Sequence, residues 1–222
     1  FAYALAVLGV INIIYGAFVA LAQSDFKKLV AYSSVSHMGN VLLGMAALTE
    51  WGMSRAELQL FKHGTSSGEL VLIVGVIYDR AHHRDLNGFG GLAQVMPRYW
   101  ALTTLGFFAA IGLPGLAGFV SEAMTLVGAY DAADPTFKVL VLISTLGIVF
   151  TAAFLLWAMQ RVFLGPVNEK YRHLPEINGR ELFFHVPLLV LCILLGIFPF
   201  YLLDLMELSV MLLVNNSLAL PG

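Results

Sequence analysis

Glu122 stands four residues beyond Ile111-Gly112-Leu113-Pro114-Gly115-Leu116-Ala117-Gly118, where three glycines and a proline interrupt an apolar run from 105 to 130. An acid at membrane depth costs a few kcal/mol, roughly 2.5 or more on insertion scales, and usually marks an ion or proton route. Proline removes an amide donor and clashes with the carbonyl one turn earlier. Glycines admit backbone angles that a regular helix does not use. In lipid, such a break survives only where protein or trapped water satisfies the freed backbone groups. A broken helix with an ionisable residue beside it is a common way to build a transporter ion site. The alternative is a plain proline kink with Glu122 near a membrane surface.

A second constellation lies in Leu60-Phe61-Lys62-His63-Gly64-Thr65-Ser66-Ser67-Gly68-Glu69-Leu70. Lys62, His63 and Glu69 are ionisable within two turns, with three hydroxyls among them. Histidine titrates near neutrality and can pass a proton between its ring nitrogens. His63 and Ser67 fall one turn apart on one face. The other role open to His63 is structural, hydrogen-bonded to neighbouring backbone. Gly64 and Gly68 form a small-xxx-small step suited to close approach by another helix. Lys62 and Glu69 lie on one stripe about 10 Å apart along the axis, with Ser66 between them. They are expected to form a compensated pair, because two opposite charges are easier to bury than one. That pair is either an added relay beside His63 or, preferred, a neutral structural pair facing the next helix.

His37 shares a helix with Ser33, Ser34 and Ser36, and either extends a hydrated line or packs with one satisfied nitrogen. His82, His83 and His173 fall in polar loops without metal-ligand spacing, so no metal site is assigned. His185 is placed at a membrane interface near the start of the last span. Asp204 and Glu207 read as solvated residues near the outer surface. No phosphate-binding glycine loop, no supported Ser/His/Asp arrangement and no basic patch for nucleic acid is present.

The elements that must carry these residues are membrane spans. The chain is 59% hydrophobic and 12% charged, with a mean hydropathy of +0.83, about half the charge of a soluble domain. The expected fold is all-α: a polytopic transmembrane bundle of about six helices, one of them discontinuous, forming a single transmembrane domain over 1–222. The spans are expected at 1–23, 29–48, 57–78, 99–130 (the broken one), 136–163 and from 182 past Pro199 towards 214. Ser24 or Asp25 caps the second helix. A connection is expected at 49–55, a tight turn at 131–135, and polar loops at 79–98 and 164–181. Of the 12 lysines and arginines, nine fall in the loops after spans one, three and five. Arg55 and Lys138 lie opposite, and Lys62 lies within a span. The positive-inside rule makes the first side cytoplasmic and puts both ends of the chain outside. The single cysteine, Cys192, offers neither a disulfide framework nor a ligand set for an iron–sulfur cluster. A start at Phe1 fits a piece of a longer chain.

Several stretches resemble a known family. Ser24-Asp25-Phe26-Lys27-Lys28-Leu29-Val30-Ala31-Tyr32-Ser33-Ser34-Val35-Ser36-His37-Met38-Gly39 is similar to the cytoplasmic turn and helix start of the antiporter-like subunits of respiratory complex I. Tyr78-Asp79-Arg80-Ala81-His82-His83-Arg84-Asp85 with Phe89-Gly90-Gly91-Leu92 resembles the loop of the M-type branch. Gly112-Leu113-Pro114-Gly115 and Gly118-Phe119-Val120-Ser121-Glu122 resemble its discontinuous helix, where glutamate rather than lysine favours the M type. Gly165-Pro166-Val167-Asn168-Glu169-Lys170 and Leu174-Pro175 resemble the loop before the last conserved helix. The resemblance covers essentially the whole chain and implies helices nine to fourteen of a fourteen-helix subunit in a bacterial inner membrane. It implies proton translocation coupled to NADH oxidation and quinone reduction elsewhere, a role for which the residues themselves offer Glu122, His63, Lys62, Glu69 and His37 as proton-transfer candidates. It also implies a helix break at Gly112, Pro114, Gly115 and Gly118, and a cytoplasmic turn at Asp25, Lys27 and Lys28. NADH, flavin, iron–sulfur clusters and quinone would bind other membrane and peripheral-arm subunits, with no cofactor on this chain. Lys62 and Glu69 depart from the pattern, since family members usually carry small or apolar residues there. A subunit of a multi-subunit cation/proton antiporter is the alternative.

Overall fold

A computed structural model describes the backbone of residues 1–132 and 134–219, and the side chains of those residues up to 214. Among the described residues the chain is an all-α bundle. Its helices are α1 (Ala2–Leu21), α2 (Phe26–Ala46), α3 (Glu50–Ala81), the single turn α4 (Leu92–Val95), α5 (Pro97–Ile111), α6 (Ala117–Tyr130), α7 (Thr136–Phe163), α8 (Gly179–Ile197) and α9 (Phe200–Ala219). Helices α1, α3, α7 and α8 are each long and apolar enough to cross a membrane. Helix α2 spans 21 residues but is diluted by its serines and His37, which it turns into protein. Helices α5 and α6 are each too short and together make one discontinuous crossing.

The chain departs from the expected boundaries at two places. The connection expected at 49–55 is helical, because the Thr49 hydroxyl accepts from the Gly52 amide at 3.0 Å and starts α3 at Glu50. The last span does not bend through Pro199 but ends at Ile197, and α9 starts afresh at Phe200. Of the turn expected at 131–135, Ala133 lies outside the described residues; beside it, the Asp134 carboxylate accepts from the Thr136 amide at 2.9 Å. Asp25, not Ser24, caps α2 by accepting from the Lys28 amide at 3.0 Å.

Two large apolar clusters, with a small third of Met53, Val210 and Val214, hold the bundle among the described residues. One gathers Phe26, Leu29, Tyr99, Phe107, Phe154 and Phe163 towards the ends of the helices that carry the polar loops. The other gathers Ala6, Ile13, Leu43, Ala129 and Phe137 towards the opposite ends. Burying such side chains contributes about 1.5–3 kcal/mol each in water; within lipid, packing and close backbone approach replace that drive. Gly9 of α1 sits against the Gly39 carbonyl, and an added Cβ would lie 2.8 Å from it. Outward faces of α7 and α8, with Leu142, Val149 and Phe183 more than half exposed, are what lipid requires. The step Gly64/Gly68 is not such a contact here: nothing lies within 4 Å of a Cβ at Gly64, and only Leu188 approaches Gly68.

At the polar-loop end, Arg80 ties the end of α3 to the start of α8. Its guanidinium donates to both Glu181 carboxylate oxygens at 2.8 and 2.7 Å and to the Pro175 carbonyl. The Glu176 carboxylate accepts from the Arg98 and Tyr99 amides and so caps α5.

Candidate functional site

The break between α5 and α6 places Glu122. Helix α5 stops because Gly112 takes a left-handed conformation (φ +86°), while the Leu113 amide still bonds back to the Phe108 carbonyl at 3.1 Å. Pro114 and Gly115 lie in the five residues that separate the helices. Helix α8 closes over this segment: an added Cβ on Gly196 would stand 2.5 Å from the Gly115 carbonyl oxygen. Gly118 lets α6 restart directly against Gly112 and the Ala109 carbonyl. Glu122 follows in the second turn of α6, buried, between the two apolar clusters.

Three donors converge on one oxygen of that carboxylate. Lys62 Nζ of α3 lies 2.8 Å from Glu122 Oε1, His37 Nδ1 of α2 lies 2.9 Å away, and Gln59 Nε2 of α3 donates at 3.3 Å. Lys62 is fully buried and His37 nearly so. Ser121 donates to Gln59 Oε1, which turns the amide nitrogen towards Glu122. A buried ion pair of this kind needs its remaining lone pairs satisfied to offset desolvation. His37 Nε2 has no hydrogen-bond partner among the described residues, and its ring lies 5.6 Å, centroid to centroid, from that of His63. His63 in turn bonds the Ser67 hydroxyl at about 3.0–3.2 Å, with the donor set by the tautomer. The side chains therefore run Lys62, Glu122, His37, His63, Ser67.

The expected pair of Lys62 with Glu69 does not form. Both residues lie on one buried stripe of α3, Gln59-Lys62-Ser66-Glu69, as their spacing predicts. Their offset of about 10 Å along the axis leaves each to the nearer helix it faces. Glu69 Oε1 takes His185 Nδ1 of α8 at 2.7 Å. His185 is therefore not interfacial: it is buried, 1% exposed, because Glu69 would otherwise stand alone in the interior. Gln59 and His185 escaped the sequence reading. The signal for Gln59 was its place one turn before Lys62; for His185, an acid on α3 with no cation of its own.

Asp25, Lys27 and Lys28 stand apart from this chain of groups. Asp25 caps α2 and meets Arg84 at 3.4 Å, tying the turn to the 82–86 loop, while Lys27 and Lys28 are exposed. His83 stacks on Phe89 at 4.4 Å and bonds the Tyr171 hydroxyl. Burial, then the charge of Lys170, holds its imidazole below the ordinary value of 6.5. Asp204 and Glu207 line a groove of about 150 Å³ with Glu50 and Arg55.

Residues 1–151 match the family model described as NADH:quinone oxidoreductase/Mrp antiporter, TM. The chain is 42% identical over 205 residues to NAD(P)H-quinone oxidoreductase chain 4 of Trichormus variabilis, covering 90% of this chain and 38% of that one. It is 41% identical over 211 residues to NADH-quinone oxidoreductase subunit M of Rhodobacter capsulatus, covering 95% and 40%. The chain thus spans about two fifths of the curated relatives it matches. A chain of respiratory complex I from Thermus thermophilus with bound NADH superposes with a TM-score of 0.86 at 34% identity, over 96% of this chain and 45% of that one. A chain of the Mrp complex from a Dietzia species also reaches 0.86, at 20% identity over 98% and 48%, which shows a shared fold alone.

Proposed function

Because this chain belongs to the NADH:quinone oxidoreductase/Mrp antiporter transmembrane family, we propose that it is a proton-translocating membrane part of an NADH-quinone oxidoreductase of the complex I type. Its relatives named chain 4 and subunit M support the M-type branch. The observation that carries the reading is the convergence of Lys62, His37 and Gln59 on the buried Glu122 carboxylate beside a helix break. With Lys62 charged, Glu122 ionised and His37 neutral, the cluster is electrically balanced. One added proton makes it a net cation in a medium where unpaired charge costs about 2.5–3.5 kcal/mol. It is therefore held briefly and released, by way of His37 and His63, when neighbouring charge changes.

We place the chain as one transmembrane unit in a bacterial inner membrane, with both ends outside and the loops around 82–91 and 164–178 in the cytoplasm. It acts without holding a redox group: its one cysteine donates to the Thr65 hydroxyl at 3.6 Å. NADH, flavin, iron–sulfur clusters and quinone belong to other subunits, and this chain performs no redox chemistry. The test is Glu122→Gln in the assembled complex. The amide keeps an acceptor for Lys62 but cannot ionise, so pumping and coupled quinone reduction should fall together while subunit content stays normal, and Glu122→Asp should retain part of both. Full pumping by Glu122→Gln overturns the reading. A subunit of a multi-subunit cation/proton antiporter is the second reading, favoured by the shared fold and by a family model that spans both kinds of protein. Copurification with small membrane partners alone, lacking a flavin-containing arm, would establish it.

A further inference from the structure

Glu69 and His185 have no part in the cluster around Glu122, yet both are buried and bonded at 2.7 Å. One carboxylate oxygen, Glu69 Oε2, is buried without a hydrogen-bond partner among the described residues. Facing stripes of α3 and α8, one turn apart at each step, wall a cleft of about 320 Å³ that runs from the charged loop end inward. Leu72, Val76 and Asp79 form one side, and Glu181, Phe184 and His185 form the other. Asp79 and Arg180 stand exposed at its mouth, and the Arg80–Glu181 pair borders it. His185 is the innermost residue of the α8 wall. Behind it, Glu69 heads the stripe Glu69-Ser66-Lys62 that leads along α3 to Glu122. Thr65 lies beside that stripe and donates to the Lys62 carbonyl at 2.8 Å.

We propose that His185 and Glu69 form a proton-loading pair, entered from the α3–α8 cleft on the loop side, that supplies the Lys62–Glu122 cluster. The proposal rests on the translocation reading above. A proton from the cleft adds to the free ring nitrogen of His185, and the imidazolium passes its Nδ1 proton to Glu69 Oε1. His185 is left neutral and Glu69 is a carboxylic acid. Lys62 hands one of its protons to Glu122, and the Glu69 acid, its carboxyl turned so that Oε2 carries the proton, replaces it by way of the Ser66 hydroxyl and returns to a carboxylate; His185 resets by tautomer exchange. Charge is conserved at each transfer. The unpartnered Oε2 is the atom from which an acid can donate onward. The charged and titratable groups around the pair are Tyr99 on α5, Asp79 and Arg80 on α3, and Arg180, Glu181 and Cys192 on α8.

Glu69→Gln, His185→Gln and His185→Ala in the intact complex provide the test. The two glutamine variants should assemble normally, and all three should lower proton pumping about a hundredfold or more, the usual scale for losing a positioned acid or base. Imidazole added from the loop side should restore pumping to His185→Ala and leave Glu69→Gln unchanged. His185→Gln can still donate to Glu69, so a purely structural pair would leave its pumping intact. Wild-type pumping in both glutamine variants, with pumping lost in Glu122→Gln, overturns the loading pair and leaves the translocation reading standing. Wild-type pumping in Glu122→Gln removes the translocation reading instead. The pair is then decided by infrared spectroscopy: a protonated-carboxyl band that appears on acidification, vanishes in Glu69→Gln and shifts in His185→Gln supports it. No such band overturns it.

Discussion

Lys62 shows how one residue is governed by what it meets. Its ammonium is fully buried and has a carboxylate at 2.8 Å, so Lys62 and Glu122 tolerate removal together better than removal apart. Breaking a buried pair from one side costs about 3–5 kcal/mol, because the remaining charge has no solvent. Glu122→Ala is therefore expected to impair assembly more than Glu122→Ala combined with Lys62→Met, and neither should pump. Quantifying folded protein in detergent across the four combinations measures this coupling. An additive result would show that the two charges do not depend on each other. Lys62 and Glu69, which the spacing on α3 paired, should give no such direct stability coupling, since Glu69 is held by His185.

At the scale of an element, the break between α5 and α6 is built from close backbone contacts rather than from proline alone. Gly118→Ala should be more damaging than Pro114→Ala, because a methyl at Gly118 has only the Ala109 carbonyl and Gly112 to push against. Pro114 lies in a segment that is already unwound. Comparing assembly and pumping of the two variants checks this. The 82–91 loop has its own pH response. His83 is held neutral by burial and Lys170, with its folded value below 6.5. The stabilisation from neutral His83 is fully present above the unfolded value and is lost as pH falls through the lowered folded one. Amide protection factors in 82–91, taken relative to the intrinsic exchange rate at each pH, should fall as pH drops from about 7 towards 5, and His83→Gln should flatten the dependence. Protection that rises on acidification would refute it.

For the whole molecule, orientation is the property on which translocation depends. On the orientation proposed above, a cysteine replacing the exposed Lys27 should react with an impermeant thiol reagent only from the cytoplasmic side. One replacing the exposed Asp131 should react only from the outer side. Cys192 is buried and adds no background. The opposite labelling would invert the topology and place the cleft of His185 on the wrong side for proton loading.

The membrane class, the apolar spans, the break at Gly112–Gly118 and the family motifs were legible in the sequence because they are local. Lipid demands long apolar runs and internally satisfied backbone, and glycine with proline marks where that regularity fails. Glu122, Lys62 and His37 stood out for the same reason, being polar groups in apolar surroundings. Their partners did not. Periodicity puts Lys62 and Glu69 on one stripe of α3, but which helix faces each turn of that stripe depends on packing across the bundle. The structure brings α6 and α2 to Lys62 and α8 to Glu69, and so makes two separate buried pairs from charges that looked like one. It also moves His185 from a surface to the interior. Charge pairing in a membrane is set by distances of about 3 Å between different helices, and residue spacing along one helix does not encode those distances.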